Sequence, residues 1–161
     1  MLVKVPYENS DGTTVEKEFD TDAVVLTEEN LNEQAMVISK LFTEWSLVYA
    51  QYKRKLLLLE AKHSKWLAQA KQVVIDSTKL KYNSETAKMD AVLTYKDETG
   101  NFVYAENELI YNNKRAEILY YIDVVESAVL KALSIEKDMI VSLGAQMRAG
   151  YANTVNQVSV K

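Results

Sequence analysis

The sequence contains no cysteine, one proline and four glycines among its 161 residues. Without cysteine, the fold has neither disulfides nor thiolate metal ligands, a composition compatible with a reducing cytoplasm. An all-β protein needs many more turn residues, so the scarcity of proline and glycine favours long helices. No apolar run approaches the roughly 20 residues of a membrane span. The N-terminal MLVKVPYENSDG is interrupted by Lys4 and Pro6 and does not match a signal peptide. We therefore expect a cytoplasmic, all-α protein without a membrane partner.

The first 26 residues differ in pattern from the remainder of the chain. Two weakly alternating segments, VKVPY and VEKEF, flank the turn-like Asn9–Gly12. Such a pattern predicts an N-terminal arm over residues 1–26 that forms a β-hairpin or a loose segment. Asn30 followed by Glu33 resembles a capping box, which predicts the start of a helix near Thr27.

A regular apolar repeat predicts one long helix over residues 27–82. Its positions alternate in steps of four and three: Leu31, Ala35, Ile38, Phe42, Trp45, Tyr49, Tyr52, Leu56, Leu59, His63, Trp66, Ala70, Val73, Ser77 and Leu80. A 3.5-residue repeat of this kind predicts a coiled-coil seam. The seam needs a cover from the second half of the chain, from other copies, or from both. Leu57 and Leu58 are apolar outside the seam, which favours an assembly of several helices.

The repeat breaks over residues 83–102, which we interpret as the turn of a helical hairpin. VLTY and NFVY, which lie before and at the end of KDETGNF, could instead pair as a small β-hairpin. The sequence therefore does not decide whether residues 91–104 form a helix, a loop or a hairpin. A second helix is predicted over residues 103–149, with spacing that slips after Val129. Together the two helices form a single domain over residues 27–150. The polar residues 151–161 are expected to form a flexible tail.

The chain offers little catalytic or metal-binding chemistry. Glu60 and His63 have the Glu-x-x-His spacing of di-iron helical bundles, but a di-iron site needs that pair twice, and His63 is the only histidine. A polar residue on a coiled-coil seam more commonly fixes register or partner number. There is no glycine-rich phosphate loop and no cysteine nucleophile. We predict no enzyme activity, no metal and no cofactor.

Positive charge is concentrated in one stretch of this otherwise acidic chain, whose net charge is −4. Between Lys53 and Lys81 there are eight basic and two acidic residues, a net charge of +6. We take the eight as candidate nucleic-acid-binding residues: Lys53, Arg54, Lys55, Lys62, Lys65, Lys71, Lys79 and Lys81. Five of them fall away from the seam on a helical wheel: Arg54, Lys55, Lys62, Lys65 and Lys79. This basic stripe fits either a surface that follows a nucleic-acid backbone or the solvated flank of a structural or scaffolding coiled coil.

Aromatic residues are also candidates for nucleic-acid binding, because bases stack on them. Ten tyrosines and two tryptophans are present. Trp45, Tyr49, Tyr52 and Trp66 lie on the predicted seam itself. We therefore expect these four side chains to be core residues.

Three short motifs resemble the phage UvsY family of recombination mediators. They are Phe42-Thr-Glu-Trp45 with its ungapped interval to Leu57-Leu-Leu-Glu-Ala61, then Val129-Leu-Lys-Ala-Leu133, and finally Met147-Arg-Ala-Gly150. The resemblance covers roughly residues 36–150. It implies a ring-like homo-oligomer, host-cytoplasmic if phage-encoded, that binds single-stranded DNA. It further implies that the protein acts in DNA recombination, repair and replication by loading a recombinase in place of the single-strand-binding protein.

The sequence departs from the family at its DNA-binding signature, a Lys-x-Arg pair that follows Glu-Ala and precedes a tyrosine pair. An ungapped comparison places Ala68 and Ala70 at those two positions, beside Lys71. With an insertion, the segment Lys79–Tyr82 becomes the counterpart. The DNA-binding lysines are therefore predicted either in the upstream part of the stripe or at Lys79 and Lys81.

Overall fold

The computed structural model describes residues 1–22, 27 and 29–158, with residues 153–158 described by their backbone alone. The described chain is mostly helical, with a short N-terminal β-sheet, as the sequence predicts. Its elements are β1 (Leu2–Glu8), β2 (Thr14–Asp20), α1 (Leu31–Thr78), α2 (Glu85–Thr94), α3 (Ala105–Asp123), a π-helical segment (Val124–Leu130) and α4 (Lys131–Val158). No described helix is long and apolar enough to cross a membrane.

Residues 2–20 of the predicted N-terminal arm form a two-stranded antiparallel hairpin, which confirms one of the two predicted alternatives. Residues 23–26 of that arm lie outside the described residues. The strands pair from Leu2 with Asp20 to Glu8 with Thr14. Gly12 adopts a φ of +83°, a conformation that costs glycine little, and its N–H donates to the Asn9 carbonyl at 3.0 Å. The turn and the alternation together fix which side chains of the strands face inward.

One face of the hairpin is buried. Val3, Val5 and Phe19 are nearly inaccessible to solvent. The Phe19 ring meets the ring of Trp45 on α1 edge to face, at 6.0 Å between centroids. Gln51 on α1 also holds the hairpin: its side chain donates to the Glu8 carbonyl at 2.7 Å and accepts from the Glu8 N–H at 3.1 Å. These contacts tie the sheet to α1.

The long helix α1 begins at Leu31 and ends at Thr78, inside the predicted limits of 27 and 82. Asn30 directly precedes it, and the Asn30 carboxamide oxygen accepts from the Thr27 N–H at 2.8 Å. Glu28, which lies within the predicted helix, is outside the described residues. After Thr78, Lys79 adopts a φ of +53° and its N–H donates to the Ile75 carbonyl at 2.9 Å. Such a left-handed residue ends a helix.

The predicted turn over 83–102 instead contains the helix α2. Its N-cap is Ser84, whose hydroxyl oxygen accepts from the Ala87 N–H at 3.1 Å. Beyond α2 a tight turn carries a single β-bridge between Lys96 and Phe102, with Gly100 at a φ of +86°. Residues 91–104 thus end one helix and then form this turn.

The second long helical region departs from the prediction at its centre and at its end. Over Val124–Leu130 the backbone is π-helical, and the Lys131 N–H donates to the Glu126 carbonyl five residues earlier. A π-helical segment shifts the register of the faces, in keeping with the predicted slip near Val129. The helix α4 then continues to Val158 and does not end at 149, so most of the predicted flexible tail is helical. Residues 159–161 of that tail lie outside the described residues.

The chain divides into two compact units. One contains Met1–Gln51 and the chain from Tyr121 onward; the other contains Tyr52–Tyr120. The first unit buries the hairpin face and the side chains of Val125, Val129 and Leu133. The second unit contains the basic stretch, and its core is Ala70, Val74 and Val92, surrounded by Trp66, Leu67, Ala91, Tyr95 and Tyr104. The candidate functional site lies in this second unit.

Candidate nucleic-acid interface

Two adjoining pockets lie between α1 and α3 in the second unit. The larger measures about 420 Å³ and is lined by Lys55, Leu58, Leu59, Lys62, Lys114, Glu117 and Ile118. The smaller measures about 230 Å³ and is lined by Leu59, Lys62, His63, Trp66, Asn107, Ile110, Tyr111 and Lys114. Three residues, Leu59, Lys62 and Lys114, line both pockets. We call this continuous surface the basic groove.

Helical spacing explains why these residues share a surface. On α1, Lys55, Leu59, Lys62 and Trp66 follow one another at intervals of three or four. On α3, Asn107, Ile110 or Tyr111, Lys114 and Ile118 follow the same rule. Residues at such intervals lie on one face of a helix. Each helix therefore contributes one wall to the basic groove.

A hydrogen-bonded aromatic cluster joins the two walls. His63 Nε2 donates to Glu108 Oε2 at 2.6 Å, and both side chains are largely shielded from solvent. The imidazole also stacks on the Tyr111 ring, with 3.5 Å between centroids and 11° between planes. The Trp66 ring lies 5.5 Å from the imidazole. His63 thus has two partners on α3, a hydrogen-bonded carboxylate and a stacked ring.

Glu60, the other half of the Glu-x-x-His pair, has a different partner. Arg115 Nε donates to Glu60 Oε1 at 3.1 Å. Glu60 and His63 are therefore each engaged by a separate α3 residue. Within the described residues, no group of three or more histidine, aspartate or glutamate side chains is arranged to hold a metal ion.

Lys55, Lys62 and Lys114 bring positive charge to the basic groove. Lys62 and Lys114 are exposed, and neither forms an ion pair with another described residue. Lys55 is half-buried, with Nζ 5.4 Å from the centroid of the Tyr52 ring. Glu117 is the single acidic residue in the lining, while Leu58, Leu59 and Ile118 are apolar. With three lysines and one glutamate, the lining has a net positive charge, which favours the binding of an anion.

The remaining upstream cations lie outside this lining. Lys53, Arg54 and Lys65 are exposed on α1. They extend the positive surface of the helix without lining either pocket. The outward basic stripe predicted from the sequence is thus split, with Lys55 and Lys62 in the groove and Arg54 and Lys65 elsewhere on the helix.

The downstream cations serve different purposes. Lys71 is partly buried and its Nζ donates to Glu85 Oε2 at 2.7 Å, and Lys88 donates to the other oxygen, also at 2.7 Å. Hydrogen bonds from Lys71 and then Lys88 lower the pKa of Glu85 to about 2. Lys79 and Lys81 follow the end of α1. They were predicted on the long helix, and that placement is wrong because the helix ends at Thr78.

Sequence reasoning missed the α3 half of the basic groove. Lys114, Asn107 and Tyr111 were not among the predicted binding residues, because they lie outside the basic stretch from Lys53 to Lys81 in the sequence. A signal was available in the helical spacing of Asn107, Tyr111 and Lys114, which places an amide, an aromatic ring and a cation on one face.

The chain was compared with protein-family models, curated proteins and solved structures, and none of the three comparisons gave a match.

Proposed function

We propose that this protein binds single-stranded DNA along the basic groove, without enzymatic activity, and acts as a recombination mediator. The observation that carries the DNA-binding proposal is the convergence of Lys55, Lys62 and Lys114 on one apolar-walled groove. Lysine ammonium groups neutralise phosphates and release counterions, which supplies most of the affinity of sequence-independent binding. The adjoining aromatic side chains suit a single strand, whose unpaired bases stack on such rings.

The mediator role rests on the resemblance to the UvsY family over residues 36–150. In this role, copies of the chain form a ring-like homo-oligomer that contacts both a recombinase and a single-strand-binding protein. A groove with three lysines binds a strand weakly by itself. Several grooves acting on one strand raise the apparent affinity by orders of magnitude, so oligomerisation and DNA binding support each other.

The DNA-binding proposal is tested by fluorescence anisotropy with a labelled single-stranded oligonucleotide at several salt concentrations. If each of the three groove lysines neutralises one phosphate, log K falls with log[salt] at a slope of about −2 per groove. Duplex of the same sequence should bind more weakly, because its bases are not free to stack. An absence of binding at low salt would overturn the proposal.

Two single substitutions sharpen this experiment. Lys62→Ala should weaken binding and make the salt slope shallower by about 0.7, the value of one lost phosphate contact on a single strand. Lys40→Ala, also on an exposed part of α1 but far upstream of the stripe, is the matched control and should change neither quantity. Circular dichroism should report the same helicity for both variants.

A structural or scaffolding protein is the second candidate function. It is favoured by Leu57 and Leu58, which are 67% and 52% exposed on α1 and give the helix an apolar surface outside its core. Such a surface is suited to contact with another helix. Light scattering separates the candidates when combined with the anisotropy titration: a scaffold assembles and shows no salt-dependent affinity for oligonucleotides.

A further inference from the structure

We infer that the smaller pocket of the basic groove accepts one unstacked nucleobase of the bound strand, an inference that rests on the proposed function. The pocket contains three ring side chains, His63, Trp66 and Tyr111, together with Ile110 and the amide of Asn107. Lys62 and Lys114 line this pocket and the larger one alike. A phosphate held by these lysines therefore has a ring-lined cavity beside it.

The size of the pocket limits what it accepts. At about 230 Å³ it is smaller than the roughly 300–1,000 Å³ of pockets for drug-sized ligands. It suits a single planar ring system better than a whole nucleotide or two stacked bases. The sugar and phosphate of the same nucleotide would then remain in the groove, near the lysines.

The ring side chains are held in place before any base arrives. Glu108 fixes the imidazole of His63, which in turn stacks on Tyr111. On the other side, Trp66 packs against the core of the second unit, and the Tyr104 ring meets it edge to face at 6.0 Å. Because these side chains are already ordered, stacking a base on them costs little additional side-chain conformational entropy in the protein.

The polar and exposed groups of the pocket favour a base over a purely apolar ligand. Asn107 is exposed, and its carboxamide is both a hydrogen-bond donor and an acceptor. It therefore suits the edge of an unpaired base, which presents donors and acceptors side by side. Ile110 is 43% exposed and provides an apolar contact at the same site. In a duplex each base is paired and stacked, so entry requires unpairing first. The pocket thus gives the groove a preference for single strands.

The inference is tested with two single-stranded oligonucleotides of equal length, one ordinary and one in which every nucleotide is abasic. Both carry the same phosphates, so both should show salt-dependent binding if the proposed function holds. The ordinary strand should bind at least ten-fold more tightly, because only it has a base to stack. Equal affinities with a clear salt dependence would contradict base binding in the smaller pocket, while DNA binding along the groove would still hold. Failure of both strands to bind would contradict the proposed DNA binding along the groove.

A substitution then locates the effect. Asn107→Ala should weaken binding of the ordinary strand about three-fold or more and leave the abasic strand unchanged. Asn113→Ala, on an exposed part of α3 outside both pockets, is the matched control and should affect neither strand. A weakening that is equal for the two strands, or none at all, would contradict a base contact at Asn107. Circular dichroism on each variant verifies the helical content.

Discussion

The upstream and downstream parts of the basic stretch contain the same residue type and face different surroundings. Upstream, Lys62 and Lys114 line the same two pockets beside apolar residues, and neither has an ion-pair partner among the described residues. Downstream, Lys71 is bonded to Glu85, while Lys79 occupies the left-handed position that ends α1. A cluster of positive charge in a sequence is therefore not one functional unit, because the role of each lysine depends on which residues of the neighbouring helix it faces.

The difference follows from where α1 meets its neighbours. Around Lys62 the neighbour is α3, whose facing side offers Lys114 and apolar residues. Around Lys71 the neighbour is α2, which begins with Glu85. An acidic residue in the first turn of a helix is stabilised by the helix dipole and forms a ready partner for a lysine. Lys62 and Lys114 thus line a surface that is open to a ligand, whereas Lys71 is held in an ion pair with Glu85.

The largest effect is expected from reversing charge in the groove. Lys62→Glu combined with Lys114→Glu should weaken single-stranded DNA binding by about 100-fold or more at low salt, because two favourable phosphate contacts become repulsive. Anisotropy titration measures the loss of affinity. Lys79→Glu combined with Lys81→Glu is the matched downstream control. A larger loss of affinity in that control would mean that the downstream lysines bind the DNA.

A smaller effect, on stability alone, is expected at the cap of α2. Ser84→Ala removes the hydroxyl that accepts from the Ala87 N–H and should lower the free energy of unfolding by about 1 kcal/mol. Thermal or urea unfolding measures this, with the exposed neighbour Thr86→Ala as control. DNA affinity should be unchanged; a parallel loss of affinity would mean that α2 supports the binding surface.

The ion pair of Lys71 should appear as pH-dependent stability. The pKa of Glu85 is lowered from 4.5 to about 2 in the folded chain. Its contribution to the free energy of unfolding is therefore fully present above pH 4.5 and is lost as the pH falls towards 2. The melting temperature of Glu85→Gln should therefore lie below that of the unmodified protein near neutral pH, with the gap closing in acid. Glu98→Gln, at an exposed position in the turn after α2, is the control. A gap that is constant with pH would contradict the role of the ion pair.

The smallest effect is expected at Lys79. Glycine adopts a positive φ without the steric cost that lysine has, so Lys79→Gly should raise the free energy of unfolding by up to about 1 kcal/mol. Its DNA affinity should change less than that of Lys62→Ala. Urea unfolding and anisotropy on the same variant measure both. A destabilised variant, or one with strongly weakened binding, would show that the Lys79 side chain itself is needed.

Much of the fold was predictable because it follows from local pattern. The Asn9–Gly12 turn between alternating segments predicts the hairpin, and the apolar repeat predicts α1. The seam itself was predicted less well, since Val48 and Val74 are buried while Phe42 and Val73 are substantially exposed. A helix has 3.6 residues per turn, so a strict 3.5-residue repeat drifts around its surface, and the buried face drifts with it.

The errors in the fold have local causes. Ser84 precedes α2, but Ala87 stands where a capping box has glutamate or glutamine, so the helix start was not recognised. The end of α4 was placed near Gly150 because glycine commonly ends helices, yet Gly150 has no positive φ and the helix continues.

The candidate site was only half predictable. Lys55 and Lys62 were in the predicted stripe because they share a face of α1. Lys114 and Tyr111 are distant in sequence and join them only through the packing of α3 against α1, which no charge count along the chain reports. The pairing of Lys71 with Glu85 was hidden for the same reason.

The central claim is that the upstream lysines bind DNA and the downstream lysines do not. Its most direct test is the salt dependence of single-stranded oligonucleotide binding, measured in parallel for the unmodified protein, Lys62→Ala and Lys81→Ala. We predict that Lys62→Ala makes the slope of log K against log[salt] shallower by about 0.7, while Lys81→Ala leaves it unchanged. A shallower slope for Lys81→Ala with an unchanged slope for Lys62→Ala would contradict the claim.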